Sequence, residues 1–240
     1  MSVLILVRHG QARAFSENPD RLSATGREQA RALGRYWIAR RERFDAAYHG
    51  SLRRQRETCE AVSAEYRGAG IAFPGAQALP GLDEYAAQDL VAAIAPRLAA
   101  SDPGFAPLWR DWQSAPSGPD RNRRFQLMFE ALVSRWVAGR LEHEGLEPWD
   151  AFRSRVEGAL LRIREREGSG VRVAAFTSGG PVGVAVQACL GAPAVAALEV
   201  NWRVRNTSLT SFLFSGPRFS LDAFNALPHL SSRPDLVTFR

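Results

Sequence analysis

Five consecutive apolar residues, Val3-Leu4-Ile5-Leu6-Val7, stop abruptly at Arg8-His9-Gly10. The run is unbroken, rich in β-branched residues and too short for a helix, which is the pattern of a strand covered on both faces. Such strands belong to mostly parallel sheets sandwiched between helices, and ligands bind there beyond the carboxyl ends of the strands. Arg8, His9 and Gly10 hold that position, so chemistry is expected at them. Strand, polar turn and helix then recur. Residues 26–41 place Ala30, Leu33 and Trp37 at helical spacing, with Ser23 or Thr25 as the cap. Ala46 to His49 predicts a second strand, and Thr58, Ala61 and Val62 lie on the helix after it.

Later segments continue the alternation. Phe152, Val156, Leu160 and Ile163 mark an amphipathic helix. Val171 to Phe176 reads as a central strand running into Ser178-Gly179-Gly180, with a further helix beginning near Pro181. Leu209 to Phe214 and Phe219 to Phe224 predict a closing antiparallel pair joined around Ser215-Gly216-Pro217. The whole predicts an α/β fold: a three-layer sandwich with a mostly parallel central sheet, helices on both faces and a helical insertion over the pocket. Residues 1–240 are read as one domain, with the insertion at about 90–148, where Pro96, Pro103, Pro107, Pro116 and Pro119 punctuate a segment carrying Trp109, Trp112, Phe125, Phe129 and Trp136. Those aromatics are expected to fill the insertion's own core, with stacking on a ligand ring as the other reading.

Composition narrows the chemistry. The formal charge is 31 minus 25, or +6, and every cation is arginine, because the sequence contains no lysine. Schiff-base and P-loop lysine chemistry are therefore excluded. A guanidinium matches phosphate or carboxylate oxygens in a bidentate fork. No run of five or six like charges and no nucleic-acid motif occurs, so no nucleic-acid partner is expected. Cys59 and Cys189 have no metal-type neighbours at short spacing and are read as buried free thiols. The stretch Val3 to Val7 is too short for a signal peptide's apolar region and no run approaches membrane length, so a soluble cytoplasmic protein without a membrane partner is expected. Nothing in the sequence sets an oligomeric state.

Four ordered motifs carry a resemblance. Leu6-Val7-Arg8-His9-Gly10 resembles the Arg-His-Gly signature of the histidine phosphatase (phosphoglycerate-mutase-like) superfamily, in which the histidine takes up the phosphoryl group. Leu22-Ser23-Ala24-Thr25-Gly26-Arg27-Glu28-Gln29-Ala30 is similar to the family's second motif, and Gly50 to Thr58 to its second arginine motif. Leu82-Asp83-Glu84 stands at the acid motif. The resemblance implies His9 as nucleophile, Arg8 and Arg54 (rather than Arg53 or Arg56) as phosphate ligands, Glu84 as proton donor, and Ser23, Ser178 and Gly179 as substrate-binding. The residue types suit that chemistry. A neutral imidazole attacks phosphorus in line, two guanidiniums neutralise the equatorial oxygens, and a carboxylic acid protonates the leaving alkoxide.

One position departs. Where the family carries a histidine before two glycines, this chain reads Thr177-Ser178-Gly179-Gly180. A hydroxyl still donates one hydrogen bond, and the Gly-Gly turn still offers backbone N–H groups. Losing a charged donor from a transition-state site costs on the order of 10²- to 10³-fold in rate. His49, at a strand end before the Arg54 motif, is the remaining histidine placed to line the site; His143 reads as solvated and His229 as structural. The implied activity is a histidine-type acid phosphatase, a hydrolase of small phosphomonoesters that needs no cofactor and no metal. The alternatives are a phospho-ligand-binding or regulatory protein on the same fold, and a strict phosphoglycerate mutase, for which no further mutase motif is present.

Overall fold

The computed structural model describes residues 1–13, 18–141 and 145–239, so His143 and its neighbours Glu142 and Glu144 lie outside the described residues. The chain divides into two compact units: Met1–Glu84 with Arg155–Arg240, and Tyr85–Ser154. Among the described residues no helix is long and apolar enough to cross a membrane.

The first unit holds a six-stranded sheet. Its strands are β1 (Ser2–Arg8), β2 (Ala46–His49), β3 (Ala76–Ala78), β4 (Arg172–Thr177), β5 (Leu209–Ser215) and β6 (Arg218–Ala226), in the order β3-β2-β4-β1-β5-β6. β1 to β4 pair in parallel; β5 and β6 close the edge antiparallel. β3 leaves no signal in the sequence, because Ala76-Gln77-Ala78 is short and carries no apolar pattern.

Both faces of the sheet are covered. Ile5, Val7, Ala174 and Phe176 pack against Leu33 and Trp37 of α1 (Ala24–Ala39) and Cys59, Val62 and Tyr66 of α2 (Arg53–Gly68). The alternate residues Leu4, Leu6, Val173 and Ala175 are equally buried on the other face, where α8 (Gly179–Leu190) lies against β1 and β6, with α9 (Val195–Arg203) beside α8. Burial on both sides is why β1 shows no polar alternation, each such side chain contributing about 1.5–3 kcal/mol.

Two expectations need correction. The helix expected near Pro181 starts at Gly179 with Ser178 as its N-cap, so Pro181 falls at the third helical position; N–H groups of the first turn have no intrahelical partner, and proline loses nothing there. Cys59 is buried, and burial pushes its thiol up to about 12, but Cys189 is only half-buried, its thiol donating to Phe219 O at 3.2 Å.

The second unit is helical. α3 (Ala87–Asp89), a π-helical turn (Leu90–Ile94) and α4 (Ala95–Ser101) lead to α5 (Ala106–Ser114) and α6 (Pro119–Val137). Tyr85, Trp136, Trp149 and Phe152 form its core, with ring centroids 5.0–5.8 Å apart. Trp109, Trp112, Phe125 and Phe129 form a chain of ring contacts, with the Arg121 guanidinium 5.4 Å from the Trp112 ring. α7 (Trp149–Glu167) has Phe152 in this unit and Val156, Leu160 and Ile163 in the first.

The loop after β1 is held by two glycines in backbone contact. A Cβ on Gly26 would lie 2.1 Å from Gln11 O, and one on Gly10 would lie 2.4 Å from Gly26 O. Gly158, inside α7, has open space around it. Gly26→Ala is therefore expected to destabilise the protein by about 1–3 kcal/mol, while Gly158→Ala stabilises it by up to about 1 kcal/mol. Urea unfolding of both variants checks the opposite signs; two changes of the same sign would contradict the contact.

Candidate active site

The register of the sheet brings the polar strand ends together. Val7, Phe176 and His49 share one row across β1, β4 and β2, and Arg8 pairs with Thr177. Just beyond that row, His9 N donates to Thr177 O at 2.8 Å. Gly10 N donates to Thr58 Oγ1 (3.0 Å), and Thr58 Oγ1 donates to Arg54 O (2.7 Å), so the first turn of α2 is tied to the residue after His9.

The His9 ring is fixed by its two nitrogens. Nδ1 lies 2.7 Å from Gly10 O, which can only accept, so Nδ1 carries the hydrogen. Nε2 is then the unprotonated nitrogen, and it accepts from Arg54 Nε at 3.1 Å. Burial, then the Arg54 guanidinium, then that of Arg8, hold His9 well below the ordinary histidine value, against the opposing effect of the Gly10 bond. A buried, neutral imidazole with its lone pair beside a guanidinium is what attack on an anionic phosphoryl group requires.

Arg54 is aimed by Asp20, which stands in none of the motifs. Asp20 Oδ1 lies 2.6 Å from Arg54 Nη1, and Oδ2 accepts from Arg53 N at 2.7 Å, so one carboxylate both caps α2 and orients the guanidinium. Arg53 turns to Glu57 (2.7 Å) and Arg56 to Glu60 (3.5 Å), so of these three arginines Arg54 alone reaches His9. Arg8 donates through Nη1 to Val204 O.

A ring of long-range hydrogen bonds holds the loop from the other side. Asn206 Nδ2 donates to His9 O at 3.1 Å, and Thr238 Oγ1 donates to Asn206 Oδ1 at 2.9 Å. Gln29 Nε2 donates to Thr238 Oγ1 (2.8 Å) and Leu236 O (2.6 Å), and Gln29 Oε1 accepts from Gln11 N at 2.8 Å. Thr207, at a left-handed φ of 58°, donates its N–H to Arg8 O at 2.9 Å. Its hydroxyl donates to Asn206 O, so it accepts from His229 Nε2 at 3.0 Å; His229 Nδ1 is buried and has no hydrogen-bond partner among the described residues.

Around Ser178 the contacts are mostly polar and local. Glu84 accepts from Gly180 N, with both carboxyl oxygens at 3.1 Å, and so takes up an N–H group of the Gly-Gly turn. Ser178 is fully buried and accepts from Gln55 Nε2 at 2.9 Å. Gly179 packs so closely on Asn201 that a Cβ there would lie 2.2 Å from Asn201 Oδ1. His49 Nδ1 lies 2.7 Å from Gly50 O, and Ser23 caps α1, accepting from Gly26 N (3.0 Å) and donating to Gln11 Oε1 (2.8 Å). Neither His49 nor Ser23 is hydrogen-bonded to His9 or Arg54. Among the described residues no group of three or more His, Cys, Asp or Glu side chains is placed to hold a metal ion.

A sheet of this order, with Arg8 and His9 at the end of a central strand and Arg54 hydrogen-bonded to the His9 ring, defines a mostly parallel α/β protein whose polar side chains gather at the strand ends. The chain belongs to the histidine phosphatase superfamily, branch 1, whose sequence model matches residues 4–138 and 123–227. Among solved structures, it is similar to a candidate alpha-ribazole-5'-P phosphatase of Escherichia coli (20% identity, TM-score 0.65, covering 94% of this chain and 97% of that one). A phosphoserine phosphatase variant of Entamoeba histolytica bound to phosphoserine gives 16% identity and a TM-score of 0.62, over 96% of this chain and 100% of the other. A phosphoglycerate mutase of Bacillus anthracis gives 15% and 0.63, over 96% and 95%. At these identities the likeness is one of fold. No curated protein sequence matches the chain.

Two predictions follow from this geometry. Inorganic phosphate is expected to raise the melting temperature of the wild type by mass action, Arg54→Ala to remove most of that rise, and Arg53→Ala to keep it; thermal melts across a phosphate series decide, and the reverse order would reassign the ligand. Burial lowers His229 to about 4 in the folded protein, against 6.5 when unfolded. Above pH 6.5 both states are neutral; between 6.5 and 4 only the unfolded state takes the proton, so stability falls with pH by about 1.4 kcal/mol per unit. His229→Gln, which keeps a donor for Thr207, is expected to remove roughly that slope in urea unfolding between pH 6.5 and 4.

Proposed function

We propose that the protein is a phosphomonoester hydrolase working through a phosphohistidine on His9. The observation that carries this reading is the His9 ring itself, with Nδ1–H on Gly10 O and Nε2 beside Arg54. In the first step Nε2 forms a bond to phosphorus as the P–O bond to the leaving alkoxide breaks, and Glu84 supplies the proton that leaves with the alcohol. In the second, water adds to the phosphoryl group, the N–P bond breaks and its electron pair returns to Nε2, while the Glu84 carboxylate takes the water's proton. Arg8 and Arg54 offset the charge on the equatorial oxygens throughout. The substrate class is small phosphorylated metabolites. In the same proposal the chain is one histidine-phosphatase domain, into whose sequence the helical unit Tyr85–Ser154 is inserted.

Two contacts favour a second reading, a phospho-ligand-binding or regulatory protein with weakened turnover. Ser178 brings no charge, and Glu84 accepts from the Gly180 N–H, an interaction that suits a carboxylate rather than a proton donor. Acid-quenched protein treated with a reactive phosphodonor separates the two. The hydrolase reading expects acid-labile phosphate on the wild type, none on His9→Ala, and loss of the wild-type label on chasing with water. Equal labelling of both proteins would remove His9 from the mechanism; a label that persists would favour the binding protein.

A further inference from the structure

Gln55 has no part in the motif chemistry, yet it is fully buried against the residue that departs from the family pattern. Its amide nitrogen donates to Leu82 O at 3.0 Å and to Ser178 Oγ at 2.9 Å. Its oxygen accepts from Leu52 N at 3.3 Å and presses on Gly50, where a Cβ would lie 2.0 Å away. The orientation of this amide is fixed by chemistry. Leu82 O can only accept, so the atom facing it must be the NH2 group, and both hydrogens of that group are then committed. Thr177 Oγ1 donates to the same Leu82 carbonyl at 2.6 Å, which holds β4 and the Glu84 segment to one acceptor.

The consequence falls on Ser178. Its oxygen accepts from Gln55, so its own hydrogen lies outside that bond, and among the described residues it has no acceptor. A buried hydroxyl donor left unpaired is unfavourable, and an incoming phosphoryl oxygen relieves that cost. Without Gln55 the Ser178 oxygen loses the donor that sets its orientation, and the hydroxyl is free to rotate its hydrogen away from the site. We propose that Gln55 is a positioning residue, which by donating to both Leu82 O and Ser178 Oγ reserves the Ser178 hydroxyl hydrogen for the phosphoryl group transferred at His9. The proposal rests on the hydrolase reading of the same site.

The test compares affinity for vanadate, which adopts the five-coordinate geometry of phosphoryl transfer, with affinity for inorganic phosphate, alongside kcat and KM on p-nitrophenyl phosphate. Gln55→Met keeps the side chain's length and removes both donors. It is expected to lower vanadate affinity and kcat about tenfold, while phosphate affinity and KM stay within about threefold, because the hydrogen bond counts most as charge builds in the transition state. Ser178→Ala should show the same pattern, and Gln55→Met should add nothing in the Ser178→Ala background. If Gln55→Met does not fold, Gln55→Glu replaces it; its carboxylate accepts the serine hydrogen, so a comparable loss is expected.

Additive losses in the double variant, or wild-type values for Gln55→Met or Gln55→Glu, would overturn the role of Gln55 and leave the hydrolase reading intact. A wild type that binds neither anion, or full turnover by His9→Ala, would overturn both.

Discussion

The carbonyl oxygen of Gly10 settles which nitrogen of His9 carries the hydrogen, and the rest of the site is arranged around that one acceptor. Because Gly10 O takes the Nδ1 hydrogen, Nε2 is left bare and turned to Arg54. For the carbonyl to keep that place the loop after β1 must not shift, and three independent attachments hold it: Thr58 of α2 on Gly10 N, Thr177 of β4 on His9 N, and Asn206 on His9 O. Burial supplies the remaining condition by disfavouring the imidazolium. Rigidity, tautomer and charge state thus have one common origin in the packing of a single loop.

Local signals in the chain were readable because they are local in physics. Val3 to Val7 shows its strand because both faces are buried, and Ser23 shows the start of α1 because capping is settled within three residues. β5 and β6 are adjacent in sequence and joined by a turn of glycine and proline. The start of α8 was two residues off, since Gly179 and Gly180 are poor helix formers and the helix is fixed there by the Ser178 cap position and by Glu84. β3 could not be seen, being three residues that pair only because β2 is beside them.

The site divides along the same line. Arg8, His9 and Arg54 stand in short motifs. Asp20, Gln55, Asn206, Thr207 and Thr238 act through contacts across 20 to 200 or more positions, and nothing in a single sequence marks an ordinary asparagine or threonine as a loop anchor. Gln29 is intermediate: its motif gave it a place, and only the fold shows that its amide joins Gln11 to residues 236 and 238.

That ring of hydrogen bonds has a consequence in time. On the ribosome β1 and the His9 loop are made before Asn206 and Thr238, which close the ring on His9 O and Gln29 from more than 190 positions further along. A chain made only as far as β1 therefore carries His9 without the frame that holds its loop. The frame around the His9 loop is therefore complete only once Thr238 has folded back onto Asn206 and Gln29, so its assembly follows the long-range fold and not the local motif.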